Sequence, residues 1–191
     1  MDARNRDAQG EIDWGLRPNR CDRVALVLQG GGALGAYQAG VYEALHEARL
    51  EPDWVSGVSI GAINAAIIAG NPVAKRVEKL RGFWERVTSR RIWLHTPDGD
   101  FFRKARNAAS ALTTASLGQP GFFKPRVQGP WVSAPGAVGA TSYYDTEPLR
   151  ETLHEFVDFR LLNSGQVHFS VGAVNVERGN YTYFDNTKEE I

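Results

Sequence analysis

Arg23–Gly70 reads RVALVLQGGGALGAYQAGVYEALHEARLEPDWVSGVSIGAINAAIIAG, and the order of its apolar runs and glycines decides the fold. Val24–Leu28 is a short continuous apolar run, the pattern of a strand buried on both faces of a parallel sheet. Gly30-Gly31-Gly32-Ala33-Leu34-Gly35 then turns the chain, and Ala36–Arg49 reads as a helix with Val41, Leu45 and Ala48 on one face. Glu51-Pro52 stops that helix. Trp54–Val58 predicts a second strand and Ile60–Ala69 a second helix, ended by Gly70-Asn71-Pro72. This order predicts an α/β fold with an open, mainly parallel sheet, in which ligands bind beyond the carboxyl ends of the strands. Both glycine-bearing junctions fall at such ends.

The second junction, Gly57-Val58-Ser59-Ile60-Gly61, has the G-x-S-x-G pattern of a serine exposed on a strained strand-to-helix turn. A helix beginning after Ser59 adds positive potential where a negative oxygen would form. The bland alternative is a glycine-bounded turn with Ser59 as an ordinary N-cap. The first junction can offer the successive backbone N–H groups of Gly30, Gly31 and Gly32 as an anion-binding nest. Gly30–Gly35 also matches G-x-G-x-x-G, so a dinucleotide-binding domain is a second reading. That reading needs an acidic side chain at the end of the second strand, where this chain has Ser59, and Asp53 stands at the strand's start. A Ser-Asp-His hydrolase is a third. It finds poor support in His46 (first helix), His154 (a later helix), His168 (an apolar strand) and His95 (a loop).

Outward from this core, 191 residues with 42% apolar and 23% charged side chains fit one ordinary globular domain. Net charge is zero, which argues against a dedicated nucleic-acid partner. The middle of the chain, Lys75–Arg126, is nonetheless basic between two acidic flanks, and could meet an anionic surface. One cysteine, Cys21, excludes an internal disulfide and a cysteine-cluster metal site. The amino terminus has no apolar run, and no stretch is long enough to span a bilayer, so a cytoplasmic location is expected. Residues 1–22 predict a flexible polar tail and 23–191 the domain.

Val73–Thr88 carries an amphipathic stripe of Val73, Val77, Leu80, Trp84 and Val87. Arg90–Gly99 is a break, Phe101–Leu117 has helical composition, and Gly118–Thr141 is a long glycine- and proline-rich loop. The aromatics Phe101, Phe102, Phe122, Phe123 and Trp131 either finish a core or line an apolar approach to a site. Asp145 with Pro148 opens a helix reaching to about Val157. Val167–Val176 reads as a core strand, Glu177–Asn180 as a hairpin turn and Tyr181–Asp185 as the return strand.

The apolar strand, GGGALGAYQAGV, GVSIG and AINAAIIAG together resemble the patatin-like phospholipases, specifically over Arg23–Pro72 and more loosely to Asn186. The resemblance implies a three-layer αβα sandwich and hydrolysis of the acyl esters of phospholipids and related lipids by a Ser-Asp dyad, with no cofactor and no metal. It makes Ser59 the nucleophile and the Gly30, Gly31 and Gly32 amides the oxyanion hole, with Gly35, Gly57 and Gly61 completing the motifs. The partner is a lipid acyl ester, with peripheral membrane contact. Two departures stand out. Leu34 occupies a position where many members carry a basic residue. The family's Asp-Gly-[Gly/Ala] motif, source of the dyad aspartate, is missing, since the lone Asp-Gly pair is Asp98-Gly99 in mid-chain. The chain is therefore expected to be the N-terminal part of the domain, incomplete at its C-terminus and with little ester hydrolysis of its own. A non-catalytic lipid- or membrane-binding relative is the alternative.

Overall fold

Four strands, β1 (Ala25–Leu28), β2 (Trp54–Val58), β5 (His168–Asn175) and β6 (Asn180–Asp185), form the main sheet in the order β1-β2-β5-β6. The first three are mutually parallel, and β6 returns antiparallel along β5. The computed structural model describes residues 21–89, 114, 116–126 and 142–191. Residues 1–20 of the expected tail (1–22), the Arg90–Gly99 break, most of Phe101–Leu117, much of the long loop, His95, Phe101, Phe102 and Trp131 lie outside those residues. By its contacts the chain divides into two units, one of residues up to Arg81 with Val157–Ile191, the other Gly82–Phe156.

In the first unit, a short 3-10 turn (Gly32–Leu34) leads from the glycines into α1 (Gly35–Glu47), and α2 (Ile60–Ala69) follows β2. The bounds of β2 and α2 coincide with the sequence reading. Apolar except for Asn64, α2 packs on β1, β2 and β5, and its Ile60, Ala65, Ile67, Ile68 and Ala69 are buried in the core with Leu28, Val55 and Phe169. This is an α/β fold on a mainly parallel sheet.

Two expectations fail locally. The VALVL run predicts a strand covered on both faces, yet Leu28 is buried while Val27 is 76% exposed. In the described sheet β1 is an edge strand, and the face that carries Val27 is open. Likewise Ala48 of the predicted α1 face is exposed and Val41 and Leu45 are half-buried, whereas Tyr42 is fully buried.

The reason is a polar cluster that needs Tyr42 inside. Its hydroxyl donates to Glu51 Oε2 at 2.7 Å, and Arg76 Nη1 donates to the same oxygen at 2.9 Å. His46 Nδ1 sits 2.5 Å from Glu51 Oε1, while Arg76 Nε donates to the Asn71 carbonyl at 3.0 Å. Glu51 and Arg76 are each 2% exposed. Two buried opposite charges with every other partner supplied are tolerable, whereas removing one leaves the other uncompensated. Burial drives the Tyr42 phenol above its ordinary range, against the lowering effect of Arg76. The cluster ties the end of α1 and the loop before β2 to α3 (Val73–Thr88).

A short helix, α5 (Phe159–Asn163), was not foreseen. The Asp158 carboxylate caps it by accepting from the amides of Arg160 and Leu161. Beyond the hairpin, Asp185 accepts from the Thr187 hydroxyl at 2.6 Å and the Thr187 amide at 3.0 Å, pairs with Lys188, and lies 3.0 Å from His168 Nε2. These contacts, the Thr187 hydroxyl foremost, hold its carboxyl below the usual carboxylate range although burial opposes them. A depressed folded pKa contributes stability above the unfolded value near ~4 and loses it as pH falls through the folded value. The gap in thermal midpoint between the native chain and Asp185→Asn is thus expected to be widest near neutral pH and to close on acidification; a gap independent of pH would contradict this.

In the second unit, α3 continues past Gly82 and α4 (Glu147–Phe156) packs with it. Phe83 is fully buried and meets Phe156 edge-on at 6.1 Å, and Arg86 pairs with Glu155. The buried Thr152 hydroxyl lies within hydrogen-bond reach of the Gly121 and Pro148 carbonyls. A two-stranded ribbon, β3 (Lys124–Pro125) with β4 (Tyr144–Asp145), precedes α4. Phe123 packs on Tyr144, with ring centroids 4.8 Å apart. Asp145, read from sequence as the N-cap, stands two residues before α4 and accepts from the amide of its first residue, Glu147, at 3.1 Å.

Candidate active site

Parallel pairing of Leu28 with Gly57 brings the ends of β1 and β2 level, so the glycine loop and the Ser59 turn emerge side by side. Ser59 itself adopts φ 56° and ψ −127°, a conformation costing a non-glycine residue on the order of 1–3 kcal/mol. Its side chain makes no capping hydrogen bond, so the N-cap reading gives way to an exposed hydroxyl at the head of α2.

The flanking glycines make the turn possible by close approach. A methyl group at Gly61 would come within 2.1 Å of the Leu28 carbonyl oxygen and 2.7 Å of that of Gln29. At Gly57 it would fall 2.4 Å from the carbonyl of Gly61. Backbone therefore lies on backbone where β1, β2 and α2 meet, leaving no room for Cβ. A methyl at Gly30 would stand 3.3 Å from Ser59 Cβ and 3.9 Å from its Oγ, which places the glycine loop directly beside the serine.

Gly31 (φ 152°) and Gly32 (φ 55°) use backbone conformations that other residues rarely adopt. Among the described residues, the amides of Gly30, Gly31 and Gly32 donate no backbone hydrogen bond outside regular elements; the loop's own turn is closed by Leu34 N–H to Gly31 C=O at 3.2 Å. Leu34 and Tyr37 beside them are 67% and 77% exposed, so the rim of this loop is apolar and uncharged. Gly35 is buried at the start of α1. The structure thus brings together Ser59, Gly57, Gly61 and Gly30–Gly32, with Gly35 at the loop's exit.

The described histidines and the aspartates Asp53, Asp145 and Asp185 lie elsewhere. His46 belongs to the Glu51 cluster ahead of β2, and His168 stacks on Trp54 at 4.4 Å, at the amino ends of β5 and β2. His154 is exposed on α4. Asp53 accepts from the Val24 amide at 2.7 Å, at the end of β2 opposite Ser59, so the acidic strand end of a dinucleotide site is not present. Asp145 accepts from the Glu147 amide at the start of α4 and pairs with Lys124, while Asp185 is held by Thr187, Lys188 and His168. No group of three metal-ligating side chains occurs among the described residues.

The strained serine turn and the glycine loop thus stand side by side at the carboxyl ends of two parallel strands. The family model for patatin-like phospholipases matches residues 26–190, and the chain belongs to that family. Among curated relatives, "Lysophospholipase nte1" of Aspergillus terreus is 46% identical over 67 residues, 32% of this chain and 4% of the relative. "Patatin-like phospholipase domain-containing protein 6" of Homo sapiens is 43% identical over 61 residues, 32% of this chain and 4% of the relative. "Neuropathy target esterase sws" of Drosophila melanogaster is 50% identical over 44 residues, 23% of this chain and 3% of the relative. The aligned segments thus cover only a few per cent of the relatives' length. No solved structure gives a significant match.

Proposed function

We propose that this chain carries the nucleophile and oxyanion hole of a lipid acyl hydrolase. The observation behind the reading is Ser59, held at φ 56° with its hydroxyl unused for capping and Gly30 against its side chain. Ser59 Oγ attacks the ester carbonyl carbon, its proton passes to a carboxylate base, and the negative oxygen is received by the amides of Gly30, Gly31 and Gly32. Collapse expels the alcohol, which takes that proton, and leaves an acyl-serine that water hydrolyses. The sequence carries no Asp-Gly-[Gly/Ala] motif, and Asp145 and Asp185 are engaged elsewhere, so the base of the Ser-Asp dyad is read as lying outside these 191 residues. Residues 23–191 are read as part of one patatin-like domain.

An acyl ester of a phospholipid or related lipid is the substrate class that the relatives' names suggest. The exposed Leu34 and Tyr37 suit an apolar substrate approached at a lipid surface, which favours peripheral membrane contact. Among the described residues no helix is long and apolar enough to cross a membrane. A cytoplasmic location belongs to the same proposal. The alternative is a lipid-binding relative without catalysis, motivated by the missing Asp-Gly-[Gly/Ala] motif.

The test is fatty-acid release from lysophospholipid micelles by the protein expressed from its own gene. Release is expected, with loss in Ser59→Ala. Lipid binding without release would favour the non-catalytic alternative, and undiminished release by the variant would remove Ser59 from the mechanism.

A further inference from the structure

The glycine loop is a poor oxyanion hole unless something holds it. Three successive glycines lose more backbone freedom on ordering than any other residues, and the loop's internal bond from Leu34 to Gly31 fixes only its second half. Two side chains that the proposed chemistry does not use reach both of its ends. Gln38 Nε2, on α1, donates to the Gln29 carbonyl at the loop's entrance, at 2.7 Å. Asn64 Nδ2, on α2, donates to the Gly35 carbonyl at the loop's exit, at 2.9 Å. The same Asn64 amide nitrogen donates to Gln38 Oε1 at 3.0 Å, joining the two.

The amide orientations follow from the chemistry, because both backbone partners are carbonyls and can receive only from NH2 groups. Asn64 is 1% exposed and is the one polar side chain in a helix otherwise built of Ile, Ala and Gly. Burying an amide there is costly unless its hydrogen bonds are made. Its placement five residues after Ser59 gives that cost a purpose: the helix that carries the nucleophile also carries the anchor of the loop beside it.

We propose that Gln38 and Asn64 are positioning residues, a side-chain clamp that fixes the Gly30–Gly32 amides relative to Ser59. The proposal rests on the reading of Ser59 and the glycine loop given above. Neither residue touches the reacting atoms. Loss of the clamp should affect the stage at which negative charge reaches the loop, leaving the fold and ground-state binding in place.

The test uses the protein expressed from its own gene with Gln38→Ala, Gln38→Glu, Asn64→Asp and the Ser59→Ala control. Gln38 is half-buried, so its variants should fold even if Asn64→Asp does not. Glutamate has the size of glutamine and keeps an acceptor for Asn64, but turns an oxygen toward the Gln29 carbonyl. A packing role would survive that change and a hydrogen-bonding role would not. Three quantities are read: the phosphonylation rate of Ser59 by an alkyl fluorophosphonate, the thermal midpoint, and sub-second hydrogen exchange of the peptide containing Gly30–Gly32.

Gln38→Glu and Gln38→Ala are both expected to slow phosphonylation by about tenfold or more, with faster exchange in the loop and a thermal midpoint within about 3 °C of the native protein. Native labelling rate with native loop exchange in Gln38→Glu would overturn the clamp. If the native protein is not labelled, or Ser59→Ala is labelled equally, the reading of Ser59 fails instead. Loop exchange still decides the clamp in that case.

Discussion

Gly61→Ala is expected to destabilise the native fold severely. The added methyl would lie 2.1 Å from the Leu28 carbonyl oxygen and 2.6 Å from its carbon, inside any tolerable contact, and both atoms are backbone at the end of β1. No side chain can rotate away. Relief requires α2 to lift from the sheet, and that helix buries Ile60, Ile67 and Ile68 in the core beneath it. Overpacking a core costs typically 1–3 kcal/mol when side chains can adjust, so a clash confined to backbone should cost more than ~3 kcal/mol. Against a typical total of about 5–15 kcal/mol, that predicts insoluble protein or a thermal midpoint lowered by at least about 6–12 °C. Gly32→Ala is the control: nothing lies within 4 Å of an added methyl, and the only cost is its φ of 55°. Equal stability of Gly61→Ala and the native chain, judged by circular dichroism melts, would show that the turn is not packed as described.

The second large effect concerns Ser59 and separates chemistry from folding. With Ser59 as the proposed nucleophile, Ser59→Ala should lower lipid-ester turnover by at least about 10³-fold, because covalent catalysis has no substitute nucleophile at that position. Stability should barely change, since Ser59 makes no capping bond that alanine would lose and alanine keeps the same strain. Ser59→Gly should lose turnover equally while gaining about 1 kcal/mol of stability, as glycine adopts φ 56° without penalty. Melting curves of the three proteins measured together supply the check: a Ser59→Gly variant less stable than Ser59→Ala would mean that the turn is not strained.

Much of this site was legible in the sequence because its causes are local. Gly57 and Gly61 flanking a serine, between an apolar strand and an alanine-rich helix, leave few structures other than a tight strand-to-helix turn, and β2 and α2 have the bounds so read. The α3 stripe was legible for the same reason, since a period of 3.6 is written within one segment. What escaped depends on distant partners. Tyr42, Glu51 and Arg76 look like surface residues singly, and only the folded chain shows that one carboxylate serves both a phenol and a guanidinium. Once Tyr42 is drawn inward, α1 rotates away from the Val41, Leu45 and Ala48 face that periodicity suggested.

The apolar run of β1 misled in another way. Pattern alone distinguishes a strand from a loop but not a covered strand from an edge strand, and Val27 shows the difference. Asn64 and Gln38 were hidden because a polar residue in an alanine-rich helix carries no sign of which carbonyl it will meet.

The central claim is that Ser59 is a nucleophile placed beside an oxyanion-binding loop. It is tested most directly by incubating the protein expressed from its own gene with an alkyl fluorophosphonate, digesting it, and locating the adduct by mass spectrometry. One phosphonyl group is expected on Ser59, in the peptide spanning Gly57–Gly61, and none in Ser59→Ala. An adduct on another residue, or equal labelling of the variant, would contradict it.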